Sequence, residues 1–493
     1  MTASDHCPAA RDGLATLLIV LLAAMPVAIM TSQAWPSPIF YATMLVALAI
    51  LLRTPRATVA ALLRSGRTLF ICMAAPALVT LGVGLWHGRV PGADLESSLR
   101  LVMGAALVCL ALLARPQADA RQALWGYAVA AVAAAGFIVM QSWPDWHRPD
   151  TTAVYNAVGY GNLTLLLSVL LALSIKWTLT ARPHAERGLR AGLALIALAA
   201  FVLTQTRSGW VAMPVFAFIG AGLAAPAPAG NGVAVDTVVD TVVGTAAQRG
   251  RWRLFLLAGL IMAALLAVFL SNTTLRDRAV LAWNETLECR NEQATADTSI
   301  CIRLQLWRAA LQAGAEHPIA GLGDRRHFAR YLHDQARPGG LVSETVAEGW
   351  GEPHNDVLLA LASFGIPGAL ALLLAFMAPA VVFARRMGRR HCASIRTAAA
   401  MGLALCLGFL IFGFTETMLR GMRTAAYFAM SCGLFLALSD PLRRRGAATP
   451  ALWPGKKDAG KTHPSTERDR DDASASRYPE SENQGNRAGR RVK

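Results

Sequence analysis

The chain has 493 residues, of which 54% are hydrophobic and 16% are charged, and its mean hydropathy is +0.41. This composition is too apolar for one large soluble domain and indicates several membrane spans. The net charge is +16, but most basic residues flank apolar segments, and no basic stretch alternates with aromatic residues. These features argue against a nucleic-acid-binding protein.

The apolar segments predict an all-α polytopic membrane protein with about twelve transmembrane helices. The first segment resembles a signal peptide, but a second apolar segment follows almost at once, which favours a retained first span. The predicted spans lie near residues 14–31, 38–52, 68–86, 98–114, 123–140, 158–178, 191–206, 209–224, 253–271, 355–384, 397–415 and 424–440.

Arginines predict the orientation of these spans, because they fall in alternate loops. The arginine-rich loops contain Arg53 to Arg67, Arg115 and Arg121, Arg182 to Arg190, Arg249 to Arg253, and Arg385 to Arg396. Loops rich in Lys and Arg stay in the cytoplasm. With twelve spans, both termini are predicted to be cytoplasmic, in a bacterial inner membrane.

Two segments interrupt the predicted membrane domain, residues 1–440, and a third follows it. Residues 225–252 read as a cytoplasmic loop, and the polar residues 441–493 read as a disordered cytoplasmic tail. Residues 271–353 form a large, mainly helical loop on the outer side. Its arginines do not contradict this side, since long loops are translocated largely regardless of charge.

Two cysteines, Cys289 and Cys301, lie in the large outer loop with eleven residues between them. An oxidising compartment favours a disulfide between them, and the alternative is two free thiols. No Cys/His spacing resembles a zinc site, so no metal is predicted.

The segment Glu352-Pro353-His354-Asn355-Asp356 opens a long apolar run directly after the large loop. Pro353 predicts the start of a helix, which places His354 at the membrane surface. The partial positive charge of a helix N-terminus disfavours imidazolium, so a neutral imidazole would serve as a general base near pH 7. The alternative is an interfacial polar residue without chemistry.

Three arginines on the predicted outer side complete the candidate site. Arg207 lies in a tight turn between two apolar segments, where a charge is costly and often marks function. Arg303 begins an amphipathic stretch, and Arg148 lies in another outer loop. Arginine suits bidentate recognition of phosphate. Together with His354, these residues suggest glycosyl transfer from a lipid diphosphate donor; the alternatives are lipid snorkelling for Arg207 and a solvated charge for Arg303.

Two further features stay open at this point. Gly321-Leu322-Gly323 lacks the Lys-Ser/Thr of a phosphate loop, and a turn is the better interpretation. Glu416, Arg420 and Arg423 lie at the outer end of the last hairpin, where they pair either with the site or with one another.

Motifs of a known family occur in order along the chain. They are Thr204-Gln205-Thr206-Arg207-Ser208-Gly209-Trp210, the stretch from Arg303 to Trp307 leading to His317-Pro318-Ile319-Ala320-Gly321-Leu322-Gly323, and Pro353-His354-Asn355 with Gly365-Ile366-Pro367-Gly368. With the predicted topology, they resemble the O-antigen ligase superfamily of bacterial inner-membrane glycosyltransferases. This superfamily also includes O-antigen polymerases and protein O-oligosaccharyltransferases. The resemblance covers roughly residues 14–440.

The resemblance implies a GT-C-like membrane fold and transfer of a glycan from undecaprenyl diphosphate to a sugar hydroxyl of lipid A-core, with inversion and without a metal or cofactor. His354 would be the catalytic base, and Arg207 and Arg303 would bind the diphosphate. The assignment of Arg148 to the diphosphate rests on loop position alone. Asn355, Gln205 and Trp307 would support the site.

The same donor chemistry serves a polymerase or a protein O-oligosaccharyltransferase, so the motifs leave the acceptor open. A cytoplasmic polar tail argues mildly against the protein-glycosylating enzyme. A lipid-linked glycan flippase or transporter belongs to a different class. Transporters place charged residues at mid-membrane, whereas the arginines of the candidate site lie on the predicted outer face.

Overall fold

We describe the protein from a computed structural model. It describes residues 12–144, 148–152, 154, 156–224, 280, 284, 298–336, 340–388, 390–419 and 421–443. Over these residues the secondary structure is helical, and no strand occurs.

The helices are numbered here in chain order. The first eight are α1 (Gly13–Thr31), α2 (Pro36–Leu52), α3 (Arg56–Trp86), α4 (Gly92–Ala114), α5 (Leu124–Ser142), α6 (Ala157–Ser174), α7 (Pro183–Leu203) and α8 (Arg207–Ala224). The others are α9 (Ser299–Glu316), α10 (His327–Gln335), α11 (Glu344–Gly349), α12 (Asp356–Arg386), α13 (Ala393–Gly413) and α14 (Met422–Leu438).

Several of these helices are long and apolar enough to cross a membrane. In the described part of the chain there are 7 of them, namely α1, α3, α4, α5 with the preceding 3-10 turn, α6, α12 and α13. Three shorter apolar helices, α2, α8 and α14, accompany them. The protein is therefore a polytopic membrane protein, and the exact number of twelve spans stays a prediction.

Ten of the twelve predicted apolar runs correspond to these helices. The run near 191–206 lies in α7, which is not among them, and the run near 253–271 lies outside the described residues. So do the predicted loop 225–252 and all but the first residues of the predicted tail 441–493. The domain boundaries drawn from the sequence therefore stay predictions.

Small residues allow the helices to pack closely, as expected where lipid provides no hydrophobic driving force between helices. A Cβ placed on Gly126 of α5 would stand 1.9 Å from the carbonyl oxygen of Ala23 in α1. A Cβ on Gly433 of α14 would stand 2.6 Å from the carbonyl oxygen of Ala105 in α4. Glycine at these positions lets the backbones approach.

The two ends of the bundle differ in charge. At one end, which we call the arginine-rich end, Arg115 pairs with Asp12, Arg386 pairs with Asp440, and Arg396 donates to the carbonyl of Gly222. The opposite end carries His354, and we call it the His354 end. The predicted orientation of the spans stays a prediction.

The described part of the large loop folds over the His354 end. Its helices α9, α10 and α11 build a small apolar core that includes Leu306, Phe328, Leu332 and Val346. Ala362 of α12 belongs to the same core. The loop is thus packed directly on the helix that follows His354.

A kink in α12 joins the loop to the bundle through the main chain. Gly365 is non-helical, with φ 69° and ψ −166°. The kink and the missing N–H of Pro367 leave the carbonyls of Ala362 and Ser363 without helical donors. Leu322 N and Gly323 N donate to these carbonyls at 2.9 and 2.8 Å, and Ile366 N donates to Pro318 O at 2.8 Å. The glycine pair of the loop is therefore a turn that docks onto the kink.

Candidate active site

His354 lies just before α12, and not inside it. The prediction that Pro353 starts the helix is wrong, because the N-cap is Asn355, whose Oδ1 accepts the N–H groups of Val357 and Leu358 at 3.0 Å each. His354 itself has φ +48°, in the left-handed region. Trp307 Nε1 donates to the carbonyl of Pro353 at 3.0 Å and so holds this segment against α9.

The imidazole of His354 binds a buried carboxylate. Its Nδ1 lies 3.1 Å from Oε1 of Glu416, which follows α13. The side chain of Glu416 is 5% exposed, whereas that of His354 is 23% exposed. Since an ionised carboxylate only accepts, Nδ1 carries the hydrogen and Nε2 of the neutral ring is left with its lone pair. This is the tautomer that a general base requires.

Charges around the imidazole favour its protonated form. The hydrogen bond to Glu416 raises the pKa of His354, and the charges of Glu416 and Glu352 act in the same direction. Burial and the charge of Arg303 act against them. The helix N-terminus was expected to keep the ring neutral, but the nearby carboxylates outweigh that effect and make it a stronger base.

Glu416 stays ionised although it is buried. Burial alone would raise the pKa of Glu416, but the hydrogen bond and charge of His354 lower it below the usual value. A hydrogen bond from Asn156, at the N-cap of α6, and the charge of Arg303 contribute to the same shift. The pair therefore consists of an anionic carboxylate and an imidazole that it orients.

Arg303 is a predicted arginine whose charge reaches both members of this pair. It is half-buried on α9. Two residues along the helix, Gln305 Oε1 accepts the N–H of Ser343 at 2.8 Å, which ties α9 to the start of α11. The guanidinium is thus carried on an element fixed at several points.

The turn that carries Arg207 is held against α6. The hydroxyls of Thr204 and Thr206 are 2.8 Å apart, and Ser208 Oγ donates to Asn162 Oδ1 at 2.9 Å. Gln205 has φ +53°, which closes the turn. A Cβ on Gly161 would stand 2.3 Å from Thr206 Oγ1, so glycine permits the contact. Arg207 begins α8; its side chain lies outside what the structure describes.

The other residues predicted for the site are Arg148, Asn355 and the cysteine pair. Arg148 is exposed in the segment 148–152, which leads to Asn156 near Glu416. Asn355 supports the site in two ways, as the N-cap and through its Nδ2, which donates to the carbonyl of Phe414 at 3.1 Å. Cys301 is disulfide-bonded, and its predicted partner Cys289 lies outside the described residues.

Sequence reasoning left the partner of Glu416 open and gave no role to Asn156. Glu416 lies 62 residues from His354 in the chain, so no local pattern connects them. The available signal was an acidic residue in the short polar turn between two apolar segments. Asn156 carried no signal beyond its position before an apolar segment, where Asn is a common N-cap.

Comparison with known proteins gives one family match. The family model described as O-antigen ligase matches residues 192–373, a region that contains Arg207, Arg303 and His354. It excludes Arg148 and Glu416. A search of curated proteins found no match. Over residues 192–373, the match supports the resemblance to the O-antigen ligase superfamily.

Proposed function

We propose that the protein is an O-antigen ligase, which transfers a polysaccharide from undecaprenyl diphosphate to a sugar hydroxyl of lipid A-core. The observation that carries this proposal is the hydrogen bond between His354 and Glu416 beside the charge of Arg303. It lies at one end of a membrane bundle, under a loop that falls within the matched region.

In the proposed reaction, His354 Nε2 takes the proton of the acceptor hydroxyl as its oxygen attacks the anomeric carbon. A C–O bond forms on one face, and the bond from that carbon to the diphosphate oxygen breaks on the other. The electron pair leaves with undecaprenyl diphosphate, and the configuration inverts. Glu416 stabilises the imidazolium that forms, as a buried carboxylate does in other His-based catalysts.

The leaving group gains negative charge as the bond breaks, and arginine is suited to stabilise it. A guanidinium stays charged at any relevant pH and binds phosphate oxygens in pairs. We assign this role to Arg303 and Arg207, with Arg148 as a third candidate from its loop. A positioned cation that interacts more strongly with the leaving diphosphate than with the bound donor lowers the barrier.

The charge asymmetry of the bundle supports a site in the periplasm of the bacterial inner membrane. The arginine-rich end, with Arg115, Arg386 and Arg396, corresponds to the cytoplasmic side by the positive-inside rule. The His354 end then faces the periplasm, where lipid-linked glycans and lipid A-core meet. Both termini are cytoplasmic in this arrangement.

The test is the lipopolysaccharide banding pattern of cells that lack the protein, complemented with wild type or with His354→Ala. Loss of all long-chain bands, with polymerised glycan accumulating on the carrier lipid, is expected for both the null and the variant. A lipid A-core that carries one repeat unit would instead indicate a polymerase. An unchanged ladder would overturn the proposal and direct attention to glycoproteins. Consumption of donor by purified protein separates an enzyme from a flippase.

A further inference from the structure

Three consecutive residues at the start of α12 all bind one short segment, Phe414 to Leu419. His354 contacts the Glu416 carboxylate, and Asn355 Nδ2 donates to the carbonyl of Phe414. Asp356 accepts the N–H groups of Met418, at 3.0 Å, and of Leu419, at 3.2 Å to each oxygen. The base and its carboxylate are therefore connected by a second, main-chain contact.

Asp356 is suited to hold this segment. It is 6% exposed and lies in the first turn of α12. Its side-chain oxygens accept both N–H groups. A Cβ on Gly413 would stand 2.9 Å from Asp356 Oδ2, so the end of α13 is also close-packed on the carboxylate. The fit leaves little room for movement.

The far side of the same segment is held by the bundle. Thr424 Oγ1 donates to the carbonyl of Met418, and Ser97 Oγ donates to that of Leu419 at 3.5 Å. The N–H groups of both residues point instead to Asp356. Glu416 lies only two residues before this doubly bound stretch, so its position relative to α12 depends on the Asp356 contact.

We propose that Asp356 is a positioning residue, which sets Glu416 against His354 through the main chain of Met418 and Leu419. Asp356 acts through Glu416, because the hydrogen bonds of Asp356 are to the N–H groups of Met418 and Leu419. This inference rests on the proposed function, because that function is what gives Glu416 a part in catalysis. A misplacement of about 1 Å in such a site costs about 10²-fold in rate.

The test compares Asp356→Asn with Asp94→Asn in the purified full-length protein. Asp94 is a matched control, since it is also a buried aspartate in a first turn. Its partner is Arg325, whose N–H it accepts at 3.2 Å and whose Nε lies 3.6 Å away. The first readout is the pH dependence of His354 modification by diethyl pyrocarbonate, measured by mass spectrometry. It does not depend on catalysis.

Asp356→Asn is expected to shift the modification profile of His354 to lower pH, in the direction of Glu416→Gln, because Glu416 no longer raises the basicity of the ring. Asp94→Asn should keep the wild-type profile. With lipid-linked donor, Asp356→Asn should lower kcat by about 10²-fold and leave the donor KM nearly unchanged.

A wild-type profile in Asp356→Asn, with a shift in Glu416→Gln, would overturn the positioning role. Shifted profiles without any glycosyl transfer by the wild-type protein would instead overturn the proposed function alone. If Asp356→Asn does not insert, Asp356→Glu keeps the carboxyl group with one more methylene. It should give a smaller shift in the same direction, and a wild-type profile there would also overturn the inference.

Discussion

His354 and Glu416 form a 3.1 Å hydrogen bond across 62 residues of sequence, between a partly exposed imidazole and a buried carboxylate. In the proposed reaction, the exposed His354 meets the substrate and the buried Glu416 keeps its charge. This division explains why Glu416 is surrounded by donors, with Asn156 on one side and His354 on the other.

Replacing His354 by Ala should lower glycosyl transfer by about 10²–10⁴-fold, since the general base is lost. Donor binding should persist, because the proposed diphosphate contacts come from arginines. Turnover of lipid-linked donor by purified protein measures the first effect, and binding of labelled donor measures the second. His333→Ala, an exposed histidine on α10, is the control. Near-normal turnover in His354→Ala would remove the residue from catalysis.

Glu416→Gln should shift the acidic limb of the pH–rate profile to lower pH. Glu416 raises the pKa of His354, so removing its charge lowers that pKa. The neutral imidazole is the active form, and it then persists to lower pH. The maximal rate should fall, because a weaker base takes the proton less readily. Glu344→Gln, on the exposed start of α11, should behave as wild type. A shift to higher pH would contradict this account.

Arg303→Lys should weaken donor binding by about 10–100-fold, since a bidentate fork becomes a point charge. Arg303→Ala should also move the acidic limb to higher pH, because the charge of Arg303 holds down the pKa of His354. Arg308→Lys, exposed on the same helix, provides the control. Donor titrations monitored by turnover check both statements. Full affinity in the Lys variant would exclude Arg303 from the diphosphate site.

Gly365→Ala should destabilise the protein by about 1–3 kcal/mol, because its backbone conformation is one that essentially only glycine adopts. The added Cβ would also stand 2.5 Å from the carbonyl oxygen of Pro318. Thermal unfolding in detergent measures the change. Gly136→Ala in α5 meets nothing within 4 Å and should leave the unfolding temperature unchanged or raised. Equal unfolding temperatures for the two variants would disprove the role of the kink.

Peptide mapping without reduction should recover Cys289 and Cys301 in one cross-linked peptide, as the sequence predicts. A disulfide that closes a short loop stabilises a fold by about 2–3 kcal/mol. Reduction should therefore loosen the start of α9, which carries Arg303, and reduce donor binding more than it affects membrane insertion. A cross-link from Cys301 to any other cysteine would refute the pairing.

Much of the helical framework could be read from the sequence, because lipid imposes long apolar segments and arginine marks one side of the bundle. The ends of the helices were harder. Pro353 is a common first-turn residue and was therefore assigned to the helix, but Asn355 caps α12 two residues later. Local helix propensity does not show whether the helix begins at Pro353 or after Asn355. The answer depends on which side chain accepts the free N–H groups of the first turn.

Individual residues of the site were predictable, but their contacts were not. Arg303 and His354 stood out as polar groups at the borders of apolar segments. Their proximity depends on how α9 packs on α12 through Leu306 and Ala362, a contact between distant parts of the chain. The role of Asp356 also escaped sequence reasoning, since a first-turn aspartate is usually explained by the helix dipole alone.

The kink of α12 has a consequence for how a donor reaches the base. With 31 residues, α12 is about 46 Å long, whereas its neighbour α13, with 21 residues, is about 31 Å long. Yet the two helices are joined by a short turn at one end, and Asp356 meets Gly413 at the other. The stretch Asp356–Phe364, about 14 Å, must then lean across the end of the bundle. A carrier lipid confined to one leaflet diffuses in the plane of the bilayer. In the proposed reaction, His354, which directly precedes this tilted stretch, would meet the headgroup of the carrier without the lipid leaving the membrane.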